Sequence, residues 1–258
     1  MKVINCILCF LMIALSVQAK TIHLKQNTDL TKVFGDAYTS FIVEDSLDLH
    51  GATIRLPFRS TLSFAINGSI HNGQIIGNSS LIKADERFIL DNIKIAGSWR
   101  NTKVYSCWFK LLEDKVSNND VFAQLMQLCT GKQLTHFYMQ KGTYYVSAIY
   151  RSAPILIPSN VYWHNEATIK MLPTDLEWYN IVYLNKSTNV TIDGGRFMGD
   201  VEHHKGNSGE WGHSIKCGGA SNVVIKNVTC SHCWGDGIDL IEGLDNNKKP
   251  TYNCNNIV

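Results

Sequence analysis

Two short segments carry the residues best suited to chemistry. Trp211-Gly-His-Ser-Ile-Lys-Cys217 and Trp234-Gly-Asp-Gly-Ile-Asp-Leu240 align without a gap at an offset of 23 residues (234 − 211). If the two lie side by side as parallel strands, His213 stands beside Asp236 and Lys216 beside Asp239, roughly 4.8 Å apart. An imidazole and an ammonium group facing two carboxylates can move protons, and they can equally form a cross-strand ion ladder that only steadies the stack. Ile215, Cys217, Ile238 and Leu240 share the opposite face of the strand and point inward. His213 and Asp236 have the inward parity but sit at the strand entrance, where a turn can expose them.

Trp211 and Trp234, one repeat apart, suit either of two roles. Their ring faces can serve as sugar platforms, or they can pack as an aromatic stack beneath a loop. A long polar loop from Gly199 to Glu210 precedes the first segment and carries Glu202, His203, His204, Lys205 and Glu210. With Trp211 and Trp234, His204 and Glu210 are the candidate substrate contacts. A second loop, Glu242 to Asn256, follows the other segment, and loops flanking one sheet build clefts.

A second register agrees with the first. Asn189-Val-Thr-Ile192 recurs as Asn222-Val-Val-Ile225 and starts again at Asn256-Ile-Val258, at offsets of 33 and 34 (222 − 189 and 256 − 222). Repeats at such periods mark an architecture whose units cannot bury their apolar faces alone and must stack. The expected class is all-β, a parallel solenoid. Upstream, Ser46-Leu-Asp-Leu49, Ala52-Thr-Ile-Arg-Leu56, Ser60-Thr-Leu-Ser-Phe64, Gln74-Ile-Ile76 and Ser80-Leu-Ile-Lys83 alternate apolar and polar residues between Gly, Asn and Ser. They predict a small β-rich solenoid or roll over residues 20–108. Between the two parts, Asn118, Asn119 and Asp120 offer N-cap oxygens to an amphipathic run that ends near Gly131. That helix is expected to cover the open apolar end of the solenoid and its unpaired strand edge. Residues 109–258 then hold the helix and the first coils. Val258 lies within an apolar segment that has just begun another coil, so a longer parent protein is expected.

Residues 1–19 read as a secretory signal: Lys2, an apolar run from Val3 to Val17, and Val17-Gln-Ala19 as a cleavage site. The expected location is secreted, periplasmic or on the cell surface, with no stable membrane insertion after cleavage. The formal charge of +2 falls to +1 without Lys2, which gives no electrostatic case for nucleic acid. Cys6 and Cys9 leave with the signal. Cys230-Ser-His-Cys233 has no second CxxC or HxxxH pair beside it, so no metal site is expected there.

The order of helix, apolar strand, Gly142-Thr-Tyr144, Ile155 to Asn160, Ala167-Thr-Ile-Lys170 and Asn189-Val-Thr-Ile-Asp-Gly194 resembles the opening of pectin-lyase-like right-handed parallel β-helix proteins. Leu47-Asp-Leu-His-Gly51 and Asn72-Gly-Gln-Ile-Ile-Gly-Asn78 are similar to the β-rich module that precedes such helices in many secreted bacterial proteins. The resemblance implies three strands per coil and a polysaccharide in the groove along one sheet. Asp236-Gly-Ile-Asp239 also resembles the first catalytic segment of polygalacturonase-type hydrolases, which places Asp236 on their catalytic aspartate. Trp234-Gly235 departs from that family's Asn-Thr, and its later catalytic segments have no counterpart before Val258. Asp236, Asp239, His213 and Lys216 are thus the catalytic candidates. Glycosidic cleavage is the leading expectation, and a non-catalytic carbohydrate-binding or tailspike-like solenoid is the alternative. A uronate lyase is a third, with Lys216 as base and Ca²⁺ held by Asp236, Asp239, Glu242 and Asp245. No cofactor is expected otherwise.

Overall fold

The computed structural model describes residues 20–244 and 250–258. Residues 1–19, expected to be a signal, and Asp245 lie outside the described residues. The chain is predominantly β, and every strand pairing among the described residues is parallel except one short hairpin. It begins with β1 (Thr21–Leu24), a four-residue α1 (Leu30–Val33), β2 (Ser40–Val43), β3 (Ser46–Asp48), β4 (Thr53–Arg55), β5 (Thr61–Phe64), β6 (Ser69–Lys83) and β7 (Leu90–Trp99). The long β6 pairs with β3, β4, β5 and β7 along successive parts of its length. It changes direction at Asn72 and Ser79, both at positive φ.

After β8 (Lys103–Tyr105) comes α2 (Asn119–Leu128). The next twelve strands arrive in four trios. They are β9 (Thr135–Met139), β10 (Thr143–Val146) and β11 (Ile155–Leu156); then β12 (Val161–Asn165), β13 (Thr168–Met171) and β14 (Trp178–Asn185); then β15 (Thr188–Asp193), β16 (Arg196–Met198) and β17 (Trp211–Gly218); then β18 (Ser221–Lys226), β19 (Thr229–Ser231) and β20 (Ile238–Ile241). Each trio gives one strand to each of three stacked sheets. The first runs β8-β9-β12-β15-β18-β23, with β23 at Asn255–Ile257; the second runs β10-β13-β16-β19; the third runs β11-β14-β17-β20. The hairpin of β21 (Gly243–Leu244) and β22 (Pro250–Tyr252) follows β20.

Inward positions stack in register, as in Phe137, Trp163, Ile192 and Ile225 across four strands of the first sheet. The Phe137 and Trp163 rings lie 5.6 Å apart, and Trp163 meets Phe197 edge-on at the same distance. One corner of each trio is set by an asparagine in the left-handed region: Asn160, Asn189, Asn222 and Asn256. Asparagine tolerates this conformation better than other residues with a Cβ. Their amides also link along the stack, each Nδ2 donating to the preceding Oδ1 at 3.1, 3.4 and 2.9 Å.

The helix forms where the apolar period places it, burying Phe122, Leu125, Met126 and Leu128. Its start differs from expectation, because the Asn118 side chain makes no cap bond. Its amide bridges both backbone groups of Leu112 and the carbonyl of Tyr145. Asn119 likewise exchanges two bonds with the backbone of Ser147. Gln127 reaches Gly97 of β7. The helix therefore stitches the front module to the three-sheet stack. The expected boundary after Trp108 falls within this seam, since β8 pairs with β9. None of the helices among the described residues is long and apolar enough to cross a membrane.

Candidate functional site

The repeated Trp-Gly segments become β17 and the approach to β20 in the third sheet. The register pairs Lys216 with Asp239 and Cys217 with Leu240, as their spacing requires. Cys217 is buried, while Ile238 and Leu240 on β20, the last strand of this sheet, are 44% and 52% exposed. The two glycines permit close approach. A Cβ on Gly212 would lie 2.5 Å from the Tyr179 ring and 2.7 Å from Trp234 Cβ; one on Gly235 would lie 2.3 Å from the Glu210 carbonyl oxygen and 2.9 Å from His213 Nδ1.

Alternation breaks inside β17. Ser214 and Ile215 are both buried, and Ser214 Oγ lies 3.0 Å from Cys233 Sγ. His213 consequently joins Lys216 and Asp239 rather than the core. Its Nε2 lies 3.5 Å from Asp239 Oδ2, and Lys216 Nζ lies 2.8 Å from the same oxygen. The backbone N–H of Asp236 donates to His213 Nδ1 at 2.9 Å. An accepting Nδ1 makes the imidazole neutral with its proton on Nε2, facing Asp239. Burial, the main cause, lowers the pKa of His213 and is opposed by Asp239. The Asp236 carboxylate itself is 74% exposed.

Around this cluster lie groups that the repeat alone did not indicate. Trp178 pairs in register with Trp211, their rings 5.8 Å apart, and Trp211 is 48% exposed. The Arg151 guanidinium sits 4.5 Å from the Trp178 ring centre and Lys216 Nζ 5.5 Å from it. Tyr183 occupies the row of Lys216 and Asp239. It also borders a groove of about 740 Å³ shared with Arg151, Leu156 and Met126 of α2. One signal for Trp178 existed in the sequence: it precedes Trp211 by the same 33 residues that separate Asn189 from Asn222.

His204 and Trp234 lie elsewhere, packed beneath the loop. Their rings stack at 4.0 Å, and the His204 side chain is 1% exposed. His204 Nδ1 lies 3.0 Å from Asp200, which also accepts the Tyr179 hydroxyl and the Thr174 backbone N–H. Burial and the Asp200 carboxylate push the Tyr179 pKa far up. Of the two roles open to the tryptophans, Trp211 thus has the exposed position and Trp234 the packed one. Glu210 is exposed at the end of the loop beside Trp211.

His213, Asp236 and Asp239 offer ligand atoms within 4.8 Å of one another. They suit Ca²⁺ poorly, since that ion takes six to eight oxygens. Here one donor is a nitrogen already accepting a backbone N–H, and an Asp239 oxygen already holds an ammonium group. In the Cys230–Cys233 segment, burial chiefly raises the Cys230 thiol to about 11.

Comparison with known proteins found no matching family model and no matching solved structure. The chain is 30% identical over 142 residues to the uncharacterised protein YclG of Bacillus subtilis (strain 168), covering 49% of this chain and 24% of that protein. It is 37% identical over 93 residues to the SPbeta prophage-derived uncharacterised protein YorA of the same organism, covering 33% of this chain and 16% of that protein. The matched stretches thus span about a quarter or less of these relatives' own length.

Proposed function

We propose that this chain belongs to an exported right-handed parallel β-helix protein of the pectin-lyase-like kind, and that it cleaves glycosidic bonds in a polysaccharide lying on the third sheet. The carrying observation is Asp236: its carboxylate is 74% exposed and so open to a ligand, its own amide is fixed on His213, and the half-exposed Trp211 stands two residues before His213 on β17. Asp236 donates a proton to the glycosidic oxygen as the sugar–oxygen bond breaks. Trp211 and Trp178 meet sugar faces. Asp239 holds Lys216 and His213 in place. Inverting hydrolysis needs its second carboxylate about 6.5–9.5 Å away, to leave room for water. Asp239 approaches Asp236 more closely than this, so an inverting enzyme would draw that group from another part of the protein.

The test is reducing-end release from a panel of acidic and neutral polysaccharides, with binding measured in parallel. Asp236→Asn should abolish release and keep most of the affinity. One observation favours a binding-only solenoid as the second reading: Lys216, Asp239 and His213 satisfy one another, as in a structural ladder. Affinity without release from any substrate would select it. Chelator-sensitive products absorbing in the ultraviolet would instead point to a lyase, against the poor fit of this cluster for Ca²⁺.

A further inference from the structure

The front module carries a second constellation that the polysaccharide reading does not use. Parallel pairing of β3, β6 and β7 sets Ser46 opposite Ser69 and aligns Asp48, His71 and Asp91 in one row. Alternation turns Leu47 and Ile70 inward and leaves these polar residues on the outer face. His71 Nε2 lies 2.8 Å from Ser46 Oγ and 2.8 Å from Ser69 Oγ. On the other side of the ring, His71 Nδ1 lies 3.6 Å from Asp91 Oδ2. A carboxylate at Nδ1 favours the tautomer with its proton there, leaving the Nε2 lone pair for a serine hydroxyl. This is the order of nucleophile, base and orienting acid in a hydrolytic triad, with the acid at ion-pair distance from the base and the serine within hydrogen-bond reach of it.

We propose that Ser46, His71 and Asp91 form a separate catalytic site that hydrolyses a small acyl ester of a polyhydroxylated alcohol. Ser46 is the nucleophile because it is exposed, whereas Ser69 is half-buried. The adjoining pocket, about 420 Å³, is lined by Gln26, Ser46, Asp48, His50, His71 and Asn72. A lining of amides, imidazoles and a carboxylate suits a small hydroxylated ester, not a fatty acyl chain and not an anion. Asp48 remains ionised, held low first by the His50 backbone N–H and then by the Asn72 amide.

In the reaction, Ser46 Oγ bonds to the ester carbonyl carbon as its proton passes to His71 Nε2. The alcohol leaves with that proton as the carbon–oxygen ester bond breaks. Water then attacks the acyl-serine, giving a proton to His71, which returns it to Ser46 Oγ as the acid departs. Asp91 is a positioning residue, keeping the imidazole in the productive tautomer. Gln26 lines the same pocket, and its side-chain amide is assigned as the neutral donor to the oxyanion.

The test treats the full chain with a fluorophosphonate probe and maps the adduct by peptide mass spectrometry, alongside hydrolysis of p-nitrophenyl acetate. The expected result is an adduct on Ser46, at least about a hundredfold loss of hydrolysis in Ser46→Ala, and a lower kcat at unchanged KM in Asp91→Asn. No adduct, an adduct on Ser69 instead, or a folded Ser46→Ala hydrolysing like the wild type would overturn the proposal; circular dichroism establishes that the variants are folded.

Discussion

The Lys216 ammonium group is buried, its side chain 6% exposed, and Asp239 is its partner at 2.8 Å. Removing one member of such a pair strands the other away from water. Asp239→Asn should therefore destabilise the fold by about 3 kcal/mol in chemical denaturation, whereas Lys216→Met with Asp239→Leu should recover much of the loss. The exposed Asp236 carries no such cost, so Asp236→Asn should leave the denaturation midpoint nearly unchanged. His213 adds a pH dependence of fixed sign. Burial holds its folded pKa below the unfolded value near 6.5. The unfolded chain thus binds more protons in that window, and stability is lost as pH falls from about 6.5 through the folded pKa. Denaturation midpoints should drop between pH 7.5 and pH 5, and His213→Gln should flatten the slope, because glutamine can accept from the Asp236 amide and donate to Asp239 without charging. The sequence repeat made the pairing of these groups legible. It did not make legible that His213 joins Lys216 and Asp239, because the break in alternation at Ser214 goes with a contact to Cys233 in the connection between β19 and β20.

At the scale of the strand and its corner, the asparagine row is the ordering device. Asn222 has φ +52° and is bonded to asparagines on both sides. Asn222→Ala should cost about 1–2 kcal/mol, the left-handed penalty for a residue with a Cβ, and Asn222→Gly should cost less because glycine adopts positive φ without that penalty and loses only the amide bonds. Three of these corners stand out in the sequence through their Asn-Val and Asn-Ile repeats; Asn160 belongs to the same row but lies within Pro-Ser-Asn-Val, where the motif is partial. The helix was legible from its apolar period. Its attachment was not, since Asn118 and Asn119 bind the backbones of Leu112, Tyr145 and Ser147 instead of capping the helix, and those partners carry no pattern of their own. Arg151 escaped notice for the same reason: a loop placed it over Trp178.

At the scale of the whole molecule, one contiguous core among the described residues runs from Leu24 to Val223, through the seam where α2 and β8 join the two parts. Tryptophan fluorescence, to which Trp99 of the front module and Trp163 of the stack both contribute, and far-ultraviolet circular dichroism should therefore follow the same single denaturation curve. Two separated curves would mean that the front module unfolds on its own. All-β class and parallel stacking were readable from periodicity, whereas the front triad was not, because its three members come from strands whose pairing no repeat announced. The asparagine row has a further consequence for how such proteins diverge. It fixes the corner between each third-sheet strand and the next first-sheet strand, so differences in chain length fall at other connections, such as the 199–210 loop between β16 and β17. An insertion between the exposed Asn207 and Ser208 would lengthen this loop while the asparagine corners keep the strands in register, so chain length can vary here without disturbing the stack.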